Sequence, residues 1–143
     1  IYNFMEDRKG NIWIAIAEHV KASKLYQLYF PMPGSGLFLM PMSTIASKYR
    51  EAGLSKYDGR KWTTYDEKDG FRTADNWVNT ITEDSKGNIW VGGSRGISKY
   101  DGRKWTTYDE KDGLVSNIIY KIREDNEGNM SFFTSEGLSI YKP

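Results

Sequence analysis

The sequence has no cysteine, one histidine and no long apolar run. Without cysteine there is no disulfide scaffold, no thiol nucleophile and no thiolate site for zinc or an iron–sulfur cluster. A single histidine, His19, also excludes multi-histidine metal sites. The longest apolar stretch, residues 37–42, includes Pro41 and is far shorter than the roughly 20 residues of a membrane helix. We therefore expect no metal, no cofactor and no membrane insertion.

An excess of either charge is also missing. The 143 residues carry 20 basic and 19 acidic side chains, a formal net charge of +1. A chain so evenly balanced lacks the positive field that attracts proteins to nucleic acids or anionic membranes, so we expect no nucleic-acid partner. Hydrophobic residues make up 38% of the chain and aromatic residues 15%, which favours a packed core over disorder.

An internal repeat dominates the sequence. Residues 53–70 read GLSKYDGRKWTTYDEKDG, and residues 96–113 repeat them with one difference, Leu54 against Ile97. A shorter third copy, GLSIYKP, starts at Gly137, so the copies lie 43 and 41 residues apart. A second motif precedes each copy, as EDRKGNIW, EDSKGNIW and EDNEGNMS at residues 6, 83 and 124. Such a period predicts structural units that stack on one another.

Each unit contains short runs rich in Val, Ile, Thr, Tyr and Trp, separated by Gly- and Asp-containing turns. In the middle unit we predict four strands, A to D, over residues 78–83, 88–92, 97–100 and 104–108. Asp101-Gly102 favours a tight hairpin between the last two, because glycine accepts the positive φ that such turns require. Four antiparallel strands in about 40–45 residues are typical of one β-propeller blade. Residues 1, 78 and 119, and residues 4, 81 and 122, are all apolar; this offset of three predicts that strand A is apolar on both faces.

The predicted fold is therefore all-β and consists of about three propeller blades. Blade 1 covers residues 1–13 and 53–66, blade 2 covers 77–109, and blade 3 covers 118–143 without an outer strand. Propellers close with roughly 4–8 blades, so we expect an incomplete ring that continues in a longer chain or is completed by other copies. Residues 14–52 form an irregular insertion, with helices predicted over 15–28 and 43–52. The insertion is a ligand lid, an interface or a degenerate blade.

These residues resemble a known family, the two-component regulator propeller repeats of bacterial hybrid histidine kinases. The resemblance rests on Glu83-Asp84, on residues 87–92 (GNIWVG) and on Gly96-Ile97, with Gly113-Leu114 and residues 117–122 in the next unit. The third unit departs from the pattern, since Ser131 stands in the place of the tryptophan. The resemblance implies a sensor propeller in the periplasm or outside the cell that recognises a ligand, often derived from carbohydrate.

The antiparallel order sorts the loops onto two rims of the blades. The A–B and C–D turns share one rim, where the recurring Glu-Asp pairs are most simply turn formers. The other, which we call the loop rim, carries the D–A loops 67–77 and 110–117 and the B–C turn 92–95. Aromatic, amide, carboxylate and guanidinium groups together suit sugar or peptide recognition. The predicted ligand-binding residues are Arg72, Asp75, Asn76, Trp77, Arg95 and Asn117. The alternative is that the asparagines cap turns and Trp77 packs under the insertion.

No nucleophile and base are arranged as catalysis requires, so we expect a non-enzymatic binding or interaction domain. Two alternatives remain open. One is a lyase resembling the propeller enzymes that cleave streptogramin antibiotics, for which His19 is the one candidate catalytic histidine. The other is a structural scaffold without a small ligand.

Overall fold

The computed structural model describes residues 2–16, 27–32, 36–41, 54–72 and 78–143. These residues form strands joined by turns, and two short 3₁₀ helices lie at Glu67–Asp69 and Glu110–Asp112. Within this part of the chain, no helix is long and apolar enough to span a membrane. The strands are β1 (Tyr2–Glu6), β2 (Ile12–Ile16), β3 (Gln27–Met32), β4 (Gly36–Pro41), β5 (Leu54–Tyr57), β6 (Trp62–Tyr65), β7 (Val78–Glu83), β8 (Ile89–Gly93), β9 (Gly96–Tyr100), β10 (Trp105–Tyr108), β11 (Ile119–Glu124), β12 (Met130–Thr134) and β13 (Gly137–Tyr141).

The strands form three antiparallel meanders, which confirms the predicted fold class. Blade 1 is the sheet β1-β2-β5-β6, blade 2 is β7-β8-β9-β10, and blade 3 is β11-β12-β13. The twin Asp-Gly turns connect β5 to β6 and β9 to β10. Gly59 and Gly102 have φ of +91° and +95° there, a conformation that side-chain-bearing residues rarely adopt.

Blades 1 and 2 pack through an aromatic core that we call cluster 1. The Trp13 ring of blade 1 stacks on Tyr65 at 5.8 Å and meets the edges of Tyr100 and Trp105 of blade 2. Offset stacked and edge-on contacts are the favoured geometries of aromatic pairs. The buried members of cluster 1, all 0–8% exposed, are Trp13, Ala15, Leu54, Phe71, Ile89, Val91 and Trp105.

Blades 2 and 3 pack on each other in the same way, through a second aromatic core that we call cluster 2. Trp90 stacks on Tyr108 at 6.1 Å and meets Tyr141 at 5.5 Å, as its counterpart Trp13 meets Tyr65 and Tyr100. The remaining buried members are Ile97, Ile119, Ile122, Met130 and Phe132. The repeated sequence therefore produces a repeated interface, with one tryptophan from each leading blade at its centre.

The prediction that strand A is apolar on both faces is wrong, because a β-bulge changes the alternation. The pairing of β7 with β8 skips Asn79, and the pairing of β11 with β12 skips Tyr120. One extra residue reverses the side on which the following residues lie. Val78 and Ile81 therefore both pack into cluster 1, and their counterparts in β11 both pack into cluster 2. In β1 the pairing is continuous, and Phe4 is 59% exposed.

The insertion contains a β-hairpin that was not predicted, and only the two ends of the first predicted helix lie in the described residues. Strand β2 continues to Ile16, and β3 begins at Gln27 and pairs with β4. The ends of the helix predicted over 15–28 therefore lie in strands, since β-branched and aromatic residues at 14–16 and 28–30 favour extended backbone. The second predicted helix, over 43–52, lies outside the described residues.

The outward face of blade 3 differs from that of blade 2. Gly92 of blade 2 lies so close to Ile119 that an added Cβ would be 2.6 Å from its Cγ2 atom. In blade 3 the corresponding residue is Phe133, 40% exposed, and Leu138 and Ile140 beside it are 49% and 57% exposed. The position that is glycine in blade 2, where blade 3 packs closely, is therefore phenylalanine in blade 3.

Candidate functional site

The loop rim carries three of the six predicted binding residues within the described chain. Arg72 lies in the first D–A loop, Arg95 lies in the B–C turn and Asn117 ends the second D–A loop. The other three, Asp75, Asn76 and Trp77, lie outside the described residues.

Arg72 joins the first D–A loop to two parts of blade 2, the strand β9 and the start of the second D–A loop. Its backbone amide donates to Ser98 Oγ at 3.3 Å, while its guanidinium Nη1 lies 2.7 Å from Asp109 Oδ2. This guanidinium hydrogen bond, followed by the Lys111 amide, lowers the pKa of Asp109. Phe71 next to it is 1% exposed in cluster 1. The buried ring fixes the backbone, so the arginine side chain stands at a defined point on the rim.

Arg95 forms the second cation–carboxylate pair of the loop rim. Its Nη1 lies 3.4 Å from Glu67 Oε1, and the two side chains are 52% and 67% exposed. Exposed pairs of this kind contribute about 0–1 kcal/mol to stability. They can therefore exchange partners with a ligand at little cost to the fold.

Asn117 holds the second D–A loop together. Its side-chain oxygen accepts a hydrogen bond from the backbone amide of Glu110 at 2.9 Å. The backbone amide of Asn117 in turn donates to Glu110 Oε1 at 3.1 Å. Its carbonyl accepts from the Gly96 amide at 2.7 Å, which ties the loop to the B–C turn. The geometry is that of the turn-capping alternative, and ligand contact by Asn117 stays a prediction.

Both D–A loops begin with a capping box that sequence reasoning missed. Asp66 accepts from the Lys68 amide at 2.8 Å, and the Asp66 amide donates to Asp69 Oδ2 at 3.0 Å. Asp109 and Asp112 repeat these bonds. The signal in the sequence is the twin D-E-K-D-G segment, an acidic cap with a carboxylate three residues later and a closing glycine. The loops therefore leave the blades in identical conformations before their sequences diverge.

The Glu-Asp pairs lie on the opposite rim. The aspartate of each pair accepts hydrogen bonds from the turn that directly follows it. Asp84 Oδ1 accepts from the amides of Lys86 and Asn88, and Oδ2 accepts from the indole of Trp90 at 2.8 Å. Burial raises the pKa of Asp84, but these hydrogen bonds outweigh it and leave the pKa below its ordinary value. Asp7 and Trp13 repeat this arrangement in blade 1. The turn-forming interpretation thus holds for the aspartates.

The glutamates of these pairs connect neighbouring blades, which was not predicted. Glu83 accepts from the Arg8 amide of blade 1 at 2.8 Å. Glu124 accepts from the amide and hydroxyl of Ser85 in blade 2 at 2.7 and 2.5 Å. The recurrence of Glu-Asp once per unit was the signal, since a bond between units must recur with the same period.

Among the described residues, no three His, Asp or Glu side chains are grouped to hold a metal ion. His19, on which the lyase alternative depends, lies outside the described residues.

Comparison with known proteins identifies the repeat. Residues 74–95 match the family model described as "Two component regulator propeller". Over these 22 residues the chain is similar to a two-component regulator propeller repeat. This match covers Val78–Glu83 and Ile89–Gly93, the two inner strands of blade 2. The resemblance drawn from the sequence is confirmed. Among curated proteins, none matches the chain.

Solved structures support the same fold. The extracellular domain described as that of a hybrid two-component system, BT3049 of B. thetaiotaomicron, is similar with 20% identity and a TM-score of 0.63 over 98% of this chain. A second such domain, BT4673 of the same organism, gives 15% identity and a TM-score of 0.52 over 98% of this chain. The chain spans only 15% and 21% of those two proteins. The likeness shows that this segment has the same fold as the corresponding part of those domains.

Proposed function

We propose that this chain is part of a non-enzymatic sensor propeller that binds a small, carbohydrate-derived ligand on its loop rim. The domain would act outside the cytoplasm, as the similar domains are described as extracellular. The observation that carries the proposal is the Arg72–Asp109 pair, 2.7 Å long and with the arginine side chain 43% exposed. A guanidinium and a carboxylate side by side offer donors and acceptors to the hydroxyls of a sugar.

The distribution of sequence differences supports the loop rim over the opposite one. The twin 18-residue segments differ at one position, whereas the loops that follow them read FRTADNW and LVSN. The C and D strands are therefore nearly identical in blades 1 and 2, while the loops that follow them differ in sequence. A framework that holds variable loops is the usual plan of a binding site.

Arg72→Ala tests the proposal, with Arg103→Ala as the matched control. Arg103 is an exposed arginine in the C–D turn of the opposite rim. Calorimetric titration with a panel of neutral and uronic-acid oligosaccharides should find a binder, and Arg72→Ala should weaken it by about 10- to 100-fold, as loss of a charged hydrogen bond costs about 1.5–3 kcal/mol. Arg103→Ala should bind like the parent.

Circular dichroism must show that both variants remain folded, which we expect because the Arg72 pair is exposed. Binding by the parent that Arg72→Ala leaves intact would place the ligand away from the loop rim. No binding by the parent to any member of the panel would refute a saccharide ligand.

A further inference from the structure

Ser98 of β9 carries a buried hydroxyl directly below the loop rim. Only 2% of the residue is exposed, which is too little for contact with a ligand on the rim. Its Oγ accepts a hydrogen bond from the backbone amide of Arg72 at 3.3 Å, across the interface between blades 1 and 2. An effect of Ser98 on binding must therefore be exerted through Arg72.

The same hydrogen bond recurs between blades 2 and 3. Ser139 Oγ accepts from the Val115 amide at 3.0 Å, and Val115 has the place in the second D–A loop that Arg72 has in the first. The serine is the same in both units, whereas the residue it holds is arginine in one loop and valine in the other. A hydrogen bond to the backbone permits this change, because every residue except proline carries the same amide donor.

The loop before Arg72 is held by its own turn and by the core. The Phe71 amide donates to the Asp66 carbonyl at 3.1 Å, and the Phe71 ring lies 4.8 Å from the ring of Trp105 in cluster 1. These contacts hold the chain as far as residue 71. The bond to Ser98 acts on the backbone of residue 72 itself, from which the guanidinium extends.

The partner of Arg72, Asp109, is held on the other side of Ser98 by separate contacts. Thr107 of β10 is opposite Ser98 in the β9–β10 register, and Asp109 follows two residues later. Asp109 Oδ1 accepts from the Lys111 amide at 2.9 Å, and the Asp109 amide donates to Asp112 Oδ2 at 2.9 Å. The carboxylate thus has a fixed place relative to Ser98, and the arginine must be brought to it.

The contact between the two charged groups permits little displacement. Arg72 Nη1 lies 2.7 Å from Asp109 Oδ2, and at about 3.6 Å such a contact is no longer a hydrogen bond. A lengthening of about 1 Å therefore breaks it. A backbone released from Ser98 would no longer hold the guanidinium beside the carboxylate.

We propose that Ser98 is a positioning residue of the loop-rim site, whose hydroxyl sets where the Arg72 guanidinium stands. This inference rests on the proposed function, because Arg72 is the residue that carries it. It also defines a specificity position: the residue that the strand-C serine holds, Arg72 in one loop and Val115 in the next, decides which chemical group each loop presents.

Ser98→Ala tests the positioning without a ligand, and Ser139→Ala is its matched control. Because the Arg72 hydrogen bond is the largest cause of the lowered pKa of Asp109, NMR titration of that carboxyl reports whether the guanidinium is in place. In Ser98→Ala the pKa of Asp109 should rise toward its ordinary value of 3.8, as it should in Arg72→Ala. Ser139→Ala removes the same bond from the next interface and should leave this pKa unchanged.

Two further measurements connect the hydroxyl to binding. Ser98→Thr keeps a hydroxyl at this place and should keep the pKa of Asp109 low. An oligosaccharide of the panel that binds the parent should bind Ser98→Ala about 3- to 10-fold more weakly, the effect of losing one uncharged hydrogen bond. Ser139→Ala should bind it like the parent.

Several results would overturn the positioning role. One is a pKa of Asp109 that Ser98→Ala leaves at the parent value; others are an equal rise in Ser139→Ala or in Ser98→Thr. In the parent alone, hydrogen exchange at the Arg72 amide as fast as in an unfolded chain would also refute it. If no saccharide binds the parent, the proposed function fails, whereas the carboxyl titrations still decide what positions Arg72.

Discussion

The replacement Gly92→Ala tests the packing of blade 3 on blade 2. An added Cβ would stand 2.6 Å from Ile119 Cγ2 and 3.0 Å from Thr80 Cγ2. Ile119 is fully buried and β-branched, so its methyl group cannot rotate away freely. Gly92 is not among the glycines with a positive φ, so alanine can adopt its backbone conformation and the destabilising contribution is steric.

The expected size follows from two opposing terms. Overpacking a filled core costs about 1–3 kcal/mol. Replacing glycine by alanine also restricts the unfolded chain, which stabilises by about 0.4–1 kcal/mol. The free energy of unfolding of Gly92→Ala should therefore fall by about 1–2 kcal/mol.

Urea denaturation of the parent, Gly92→Ala, Ile119→Val and the double variant provides the assay. The corresponding pair between blades 1 and 2 is Ala15 with Val78, both in cluster 1, so the double variant recreates a combination that the chain already uses. We expect it to be more stable than the sum of the single effects predicts. A Gly92→Ala variant as stable as the parent, or strictly additive effects, would refute the packing described for these blades.

Two further predictions concern the opposite rim. Because the folded pKa of Asp84 lies below its ordinary value of 3.8, its stabilising effect is present above that pH and is lost as the pH falls through the lower folded pKa. Asp84→Asn should therefore be less stable than the parent at pH 7 and lose less stability between pH 5 and 3, measured by urea titration; an identical acid dependence would contradict this. Glu124→Ala removes the hydrogen-bond acceptor for Ser85 and should lower the free energy of unfolding by about 1 kcal/mol. The control, Glu6→Ala in blade 1, should lower it by less than about 0.5 kcal/mol. Equal effects of the two changes would exclude a stabilising hydrogen bond between blades 2 and 3.

Much of the fold could be predicted because the repeat presents the same sequence pattern more than once, so that each copy can be compared with the other. A segment such as residues 101–109 must form the same structure twice, so Asp-Gly turns and β-branched runs are read in two contexts. The strands of blade 2 lie within one residue of their predicted bounds at Trp105 and Gly93. Alternating side chains and glycine turns are local properties, and local properties can be read from sequence.

The errors arise where structure depends on partners distant in sequence. The bulges at Asn79 and Tyr120 depend on the register with the next strand, and nothing in their own residue types marks them. The Asn79 side chain donates to the Ile119 carbonyl of the next blade at 2.9 Å, a contact that no alternation pattern contains. The hairpin of the insertion was missed because short apolar runs fit helix and strand equally well.

The candidate site was predicted only in its outline. The rim follows from antiparallel order, so the position of Arg72 was accessible from sequence. Its partner Asp109 lies 37 residues away, and the choice among many nearby acidic residues depends on how two loops meet. Which acidic residue pairs with Arg72 can therefore be read only from the structure of the assembled blades.

The stacking of equivalent blades is the central claim, and one nuclear Overhauser measurement tests it directly. A Cβ at Gly92 would lie 2.6 Å from the Cγ2 methyl of Ile119, so the Gly92 α-protons should give a strong cross-peak to that methyl. A missing cross-peak with both signals assigned, or a cross-peak that links this methyl to blade 1 instead, would contradict the structure described.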